Sequence, residues 1–402
     1  MSAVRLRRCA GTIGLLLWFA LPVRAQGPAA ATVGFRDSLS STLLHEVRKL
    51  QISLPEGYAA GALRYPVVYL LDGESHFLHT AASIQFLVRE GRIPPLILVA
   101  ISNTDRTRDL TPETHGTDAG QFPTAGGART FLRFMSEELF PYVEGRYRTE
   151  NLRVLIGHSF GGLFAIEALQ TSPELFRGYI VMSPSLWWDG MSHADRAAAD
   201  LRERPDLRAW VYMTTGNEGG EMLLGAERLA GAFAAAAPPG LEWKFVHMAG
   251  EVHGSIPLRT TIDGLEFIFG DMRVTREVLE TIVAAGLPGL DRHYHELSKR
   301  YGYRIETPEA FINQLGYIYL NSGRSAEAID VFRENARRFP RSANTYDSLG
   351  DAYLAAGMIS ESIESFSNAI RLGTLTHDPV VPFSVRKLQN AESQAKAGTR
   401  GP

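Results

Sequence analysis

The stretch Val154-Leu155-Ile156-Gly157-His158-Ser159-Phe160-Gly161-Gly162 constrains this chain more than any other. Three apolar residues run into Gly-His-Ser-Phe-Gly, and Leu163-Phe164-Ala165-Ile166 then begins a helical pattern. The order is strand, sharp turn, helix, with G-x-S-x-G at the turn. A serine on so tight a turn holds a strained backbone conformation. Only neighbours without side chains leave room for the strand and helix to close around it. Ser159 Oγ then stands above the sheet, at the start of a helix whose dipole favours negative charge. Any Gly-rich turn can carry the pentapeptide by chance; the flanking strand and helix make the reading specific.

The rest of the chain fits around that turn. Val47, Leu50 and Ile52 suit one or two opening strands between Ser38 and Leu54. Tyr65 to Leu71 and Leu96 to Ile101 are unbroken apolar runs, as expected of strands covered on both faces. Ala81 to Arg89 reads as a helix between them. Tyr179–Met182, Trp210–Thr214 and Glu242–Met248 read as further strands, and a helix around Leu265 to Phe269 closes the set. Strands alternating with helices predict an α/β fold with a doubly wound sheet. Ligands in such sheets bind beyond the carboxyl ends of the strands, and the polar loops of this chain fall there.

Both ends change character. Arg5, Arg7 and Arg8 precede an apolar run from Ala10 to Leu21, and Val23-Arg24-Ala25 offers small residues for cleavage. This predicts a signal peptide over residues 1–25 and a periplasmic or secreted protein, with an uncleaved anchor as the alternative. Removing it takes four arginines and no acid, moving the net charge from -3 to -7. Nothing in that balance favours nucleic acid. Cys9, the sole cysteine of the 402 residues, leaves with it, so the mature chain has no disulfide, thiol nucleophile or thiolate metal site.

After a hydrolase-like unit over 27–270 and a helical linker over 271–307, residues 308–373 repeat. Leu315-Gly316, Tyr319, Ala328, Phe332 and Pro340 match the tetratricopeptide pattern. Leu349-Gly350, Tyr353 and Phe366 recur 34 residues later. Two repeats fall below the usual minimum of about three, so the linker is expected to pack on them as a partial unit. Residues 374–402 read as a polar tail.

A serine hydroxyl becomes a nucleophile only when a base takes its proton, and the base needs an orienting acid. In the order serine, acid, histidine, His253 alone of the histidines follows the last strand in a Gly-flanked loop just before a helix. A loop histidine bonding its own backbone is the plain alternative. For the acid, Glu218 lies nearest its strand end; Glu221 and Asp189 are alternatives, and the glutamates could equally be solvated turn residues. The oxyanion donors would be the Phe160 amide and an amide of Asp72-Gly73-Glu74, taken as Glu74. Arg106 and Arg108 could clamp an anionic or catecholate-like group, or pair with Asp105 and Asp109. Trp187 and Trp188 could wall an aromatic or acyl pocket, or simply pack. No metal cluster or nucleotide fingerprint appears, so no cofactor is expected.

Tyr-Pro-Val-Val-Tyr-Leu-Leu-Asp-Gly, Gly-His-Ser-Phe-Gly-Gly, Ser-Pro-Ser-Leu-Trp-Trp-Asp and Gly-x-x-His-Gly-Ser together resemble the putative-esterase family of α/β hydrolases, over roughly residues 35–270. That family includes S-formylglutathione hydrolase, the trilactone siderophore esterases and the mycolyltransferases, and the siderophore-esterase branch looks most similar. The resemblance implies hydrolysis of a small-molecule ester by a serine–histidine pair. The triad acid varies among such relatives, and the repeats depart from their simplest members. Acyl transfer, or an inert core presenting the repeats to a protein partner, are the alternative readings.

Overall fold

The apolar runs form the centre of an eight-stranded sheet. The structure, a computed structural model, describes residues 32–115 and 118–398. The leader read over residues 1–25 lies outside them. The strands are β1 (Phe35–Ser41), β2 (Glu46–Ser53), β3 (Tyr65–Leu70), β4 (Ile97–Ile101), β5 (Thr149–His158), β6 (Gly178–Met182), β7 (Ala209–Gly216) and β8 (Leu241–Met248). They lie in the order β1-β2-β4-β3-β5-β6-β7-β8. The β1–β2 and β2–β4 pairings are antiparallel and the remainder parallel. This is the α/β-hydrolase sheet.

The helices of the first part are α1 (Gly73–Arg89), α2 (Arg106–Leu110), α3 (Asp118–Gln121), α4 (Ala128–Phe134), α5 (Phe140–Arg146), α6 (Phe160–Thr171), α7 (Trp188–Arg202), α8 (Gly220–Ala236) and α9 (Ile256–Phe269). A π-helical turn, Met135–Leu139, joins α4 to α5. Alternation along β5 shows why its apolar run is unbroken. Leu155 packs with Phe131, Phe164 and Leu229 on one face. Val154 and Ile156 pack with Phe77 and Leu265 on the other. Both faces are dry, so both registers of the strand must be apolar.

Six more helices follow: α10 (Arg276–Tyr301), α11 (Glu309–Asn321), α12 (Ser325–Arg338), α13 (Ala343–Ala355), α14 (Ile359–Thr376) and α15 (Val381–Gly398). The stretch read as a linker is thus mostly α10, a helix kinked at Gly286. In the next four helices the 34-residue sequence period becomes a packing period. A Cβ on Gly316 would lie 2.5 Å from the Phe332 ring, and a Cβ on Gly350 would lie 2.5 Å from Phe366. Each glycine therefore lets an aromatic ring sit directly on its helix. Tyr317 Oη, one period before Asp351, donates to its carboxylate at 2.8 Å.

The reading of residues 374–402 as a polar tail needs correction. α14 continues to Thr376, and α15 docks back through Ser384 and Lys387. Ser384 Oγ donates to Asp347 at 2.6 Å, and Lys387 Nζ to Asp347 and Asp351, each at 2.6 Å. Polar residues there anchor a helix, a long-range pairing that the local pattern does not reveal.

The helical region shares the second core of the sheet. The Tyr301 ring, at the end of α10, lies 5.5 Å from Trp210 of β7 and 5.7 Å from Phe269 of α9. Its hydroxyl donates to the Ile268 carbonyl at 3.1 Å. Tyr301 is 3 % exposed. Tyr301→Phe, which removes only the hydroxyl, should cost about 1 kcal/mol. Tyr301→Ala should cost about 3–5 kcal/mol. Urea denaturation followed by far-UV circular dichroism measures both, and the larger loss should shift the sheet and the helices together.

Candidate active site

The turn after β5 is as strained as its sequence requires. Ser159 has φ 61° and ψ -115°, a region a side chain enters at a cost of about 1–3 kcal/mol. A Cβ on Gly157 would lie 2.0 Å from the Gly161 carbonyl oxygen, so no other residue fits there. The serine is held from both sides. Its N–H donates to Met182 O at 3.0 Å, and its carbonyl accepts from Leu163 at 3.0 Å and Ser185 at 3.1 Å. Ser159 Oγ lies 3.3 Å from Ser185 Oγ, its side-chain partner in this structure.

The acid and the histidine come from the next strand ends. Asn217 N–H donates to Glu251 O at 2.7 Å, tying the loop after β7 to the loop after β8. Within the latter, Ser255 Oγ donates to Glu251 Oε2 at 2.6 Å and Val252 N–H donates to Ser255 Oγ at 3.0 Å. This closed loop presents His253, whose Nδ1–H donates to Glu218 Oε2 at 2.8 Å. Glu218 Oε1 accepts from Ser183 Oγ and from Gly216 N–H. Burial pushes the Glu218 carboxyl up, but the bonds from Ser183 and His253 outweigh it and hold the pKa below the ordinary value. The carboxylate is thus ionised, fixed by one oxygen and offered to the imidazole by the other.

The alternative acids lie elsewhere. Glu221 is exposed in the first turn of α8. Asp189 accepts from Thr114 Oγ1 at 3.0 Å and His115 N–H at 2.9 Å, and its own N–H donates to Asp118. It fastens a cap loop through a left-handed stretch, Asp189 to Met191.

The loop after β3 touches the elbow: a Cβ on Gly161 would meet Asp72 Oδ2 at 3.3 Å. The starts of α1 and α6 therefore converge there. Glu74 and Phe160 stand in their first turns, where amides lack intrahelical acceptors. The Glu74 side chain accepts from Asn103 Nδ2 at 2.7 Å and turns to that loop.

The two arginines of the sequence reading separate. Arg106 Nε and Nη2 donate to Asp72 Oδ1 and Oδ2 at 2.6 and 2.9 Å, and Nη2 also donates to His158 O at 3.1 Å. Its guanidinium lies 5.4 Å from the Phe160 ring centre. Arg108 instead bonds Asp109 and Glu46, in a network with buried Arg48. Arg106 partners Asp72, not the expected Asp105 or Asp109, and Arg108 is no part of the elbow. Trp187, 6.0 Å from Phe160 and 6.1 Å from Phe122, forms an aromatic wall beside Ser159. Trp188 is buried, its indole N–H donating to Pro112 O at 3.2 Å.

Sequence order passed over a row of histidines. His158 stacks on His253 with ring centres 4.4 Å apart and meets His76 at 5.4 Å. His76 in turn lies 3.1 Å, nitrogen to nitrogen, from His79. Burial, with His253 and His76 adding to it, pushes His158 down to about 4, so it packs on His253 as a neutral ring at pH 7. Ser183, Ser185 and Phe122 were also unassigned. The Ser183-Pro184-Ser185 run directly after an apolar strand is the signal that could have found the first two.

Comparison with known proteins fits this geometry. The sequence model of the putative-esterase family matches residues 40–255. The chain belongs to that family. It is 35 % identical over 145 residues to the ferri-bacillibactin esterase BesA of Bacillus subtilis, covering 31 % of this chain and 49 % of that protein. It is 34 % identical over 165 residues to a siderophore triacetylfusarinine C esterase of Aspergillus fumigatus, covering 37 % and 55 %. The match thus spans about half the length of these curated relatives. An IroE-like serine hydrolase of Shewanella oneidensis superposes with a TM-score of 0.64 at 31 % identity, over 76 % of this chain and 99 % of that one.

The Asp72–Arg106 pair allows a stability prediction. Burial raises the Asp72 carboxyl, but Arg106 and Asn103 more than offset it, leaving the pKa below its ordinary value. A depressed carboxylate stabilises the fold above its unfolded pKa of about 3.9 and loses that contribution as pH falls through the lower folded value. Asp72→Asn should cost about 2 kcal/mol at pH 7, discounted because Arg106 is one third exposed. The variant's stability should also fall less steeply than wild type below about pH 4. Melting temperatures from pH 3 to 7 measure both.

Proposed function

We propose that this protein is an exported serine esterase, whose leader directs it to the periplasm or beyond and whose repeats are tetratricopeptide units. The observation that carries the reading is the 2.8 Å bond from His253 Nδ1–H to a half-buried, braced Glu218, beside a serine on a strained elbow.

With Nδ1 committed to Glu218, His253 Nε2 is the free base. Ser159 Oγ turns from Ser185 to Nε2, gives up its proton and attacks the ester carbonyl. The negative oxygen of the tetrahedral intermediate is held by the amides of Phe160 and Glu74. Collapse expels the alcohol, which takes the proton from Nε2 and leaves an acyl-Ser159. Water then attacks the acyl carbon as His253 takes its proton; the bond to Ser159 breaks, His253 returns the proton to Oγ, and the acid leaves. Glu218 stabilises the imidazolium in both halves. The neutral ring of His158 adds no competing positive charge beside it.

The aromatic wall of Phe122, Phe160 and Trp187, with Arg106 over Phe160, suits an ester bearing an aromatic, electron-rich group. One relative is named as a ferri-bacillibactin esterase and another as a siderophore esterase, and a siderophore-type lactone or ester is the proposed substrate class.

Ser159→Ala should abolish hydrolysis of both a p-nitrophenyl ester and a catecholate trilactone, and should block fluorophosphonate labelling, while the melting temperature stays at or above wild type. Glu218→Gln should lower kcat by about four orders of magnitude. Glu221→Gln should leave it within about twofold, as expected for an exposed residue outside the site. Full turnover by the Ser159 variant would end the reading.

A further inference from the structure

The opposite edge of the sheet holds a second cleft, of about 840 Å3. It is lined by residues at the starts of β5, β7 and β8, with the end of α10 as one wall. Trp210 is the second residue of β7 and Gly216 its last; at about 3.3 Å per residue they stand about 20 Å apart. The cleft is therefore remote from Ser159, Glu218 and His253.

Its charges are unevenly paired. Four cations line it: Arg177, Arg208, Lys299 and Arg300. Lys299 pairs with Glu296, and Arg300 with Glu242 and Asp271. Among the described residues, Arg177 and Arg208 have no carboxylate within salt-bridge distance. Arg177 instead donates to the Arg208 carbonyl at 2.6 Å and lies 4.8 Å from the Trp210 ring centre. Burial pushes its pKa below the ordinary value, and Arg208 and Arg300 add to the push while Glu242 opposes it.

We propose that this cleft binds a small oxyanion, a carboxylate or phosphate group, between Arg177 and Arg208. Guanidinium forks match both groups, and the site lies where α10 meets the sheet, so occupancy bridges the two regions.

The test titrates the full chain with inorganic phosphate and, separately, with citrate, each against sodium chloride of matched ionic strength. Calorimetry and melting temperature are the readouts. At least one anion should bind with Kd below about 1 mM; binding of phosphate alone or citrate alone assigns the group. Arg208→Gln, an exposed change that leaves the packing on Trp210 intact, should weaken binding about tenfold, and Arg177→Gln with Arg208→Gln should remove it. Ser159→Ala should bind as wild type, which separates this site from the proposed catalytic one. The proposal is overturned if neither anion exceeds sodium chloride. It is also overturned if the arginine variants, still folded by circular dichroism, bind unchanged, or if Ser159→Ala loses the binding.

Discussion

Ser159 sits in a backbone conformation that its own residue type disfavours, and everything near it is arranged to hold it there. The Met182 carbonyl from β6, the Ser185 amide beyond it and the first turn of α6 all bond to this one residue. That network fixes the relative height of β5 and β6, and Ser183 extends it to β7 through the Thr214 carbonyl at 2.8 Å. Strain on a single peptide is tolerable because several hydrogen bonds and a parallel sheet over-determine it. The same bonds place Glu218 and, through Asn217 and Glu251, the His253 loop. The elbow is thus an organiser of the sheet edge as well as a perch for a hydroxyl.

A common logic runs through the polar groups around it. Asp72 is met by Arg106 and Glu218 by Ser183 and His253, each from a different segment of the chain; Asp109 is met by Arg48 of β2 and by its neighbour Arg108. Such cross-loop pairs hold the strand ends in register, since a carboxylate stripped of its partner in a low-dielectric setting is costly. The histidine row follows another rule. His158 and His79 pack as neutral aromatic rings, with burial keeping both near 4.

What the sequence disclosed was what local pattern encodes. Apolar runs at β3, β4 and β5 marked strands buried on both faces, and the strand–Gly–helix passage at Ser159 marked the elbow. Chain order singled out His253 and Glu218, which the structure brings within hydrogen-bond distance. What stayed hidden depends on partners far away in sequence. Nothing near Arg106 announces Asp72, 34 positions earlier, and nothing in the polar run around Lys387 announces Asp347 and Asp351. Side chains that bond across loops leave no period to read. The same is true of Asp189, whose acidity invited a catalytic reading but whose left-handed backbone and three loop bonds make it a clasp.

The shared core beneath the sheet has a further consequence for how this architecture can be taken apart. Trp210, Phe269 and Tyr301 belong to three different elements, and the Tyr301 ring packs on both of the others. The α10–α15 region is therefore not a detachable appendage. Transplanting it onto another sheet would require that sheet to carry a matching aromatic surface, and deleting it would leave a greasy scar on this one. Recombination at the sequence boundary near Gly270 would join compatible chains but incompatible surfaces.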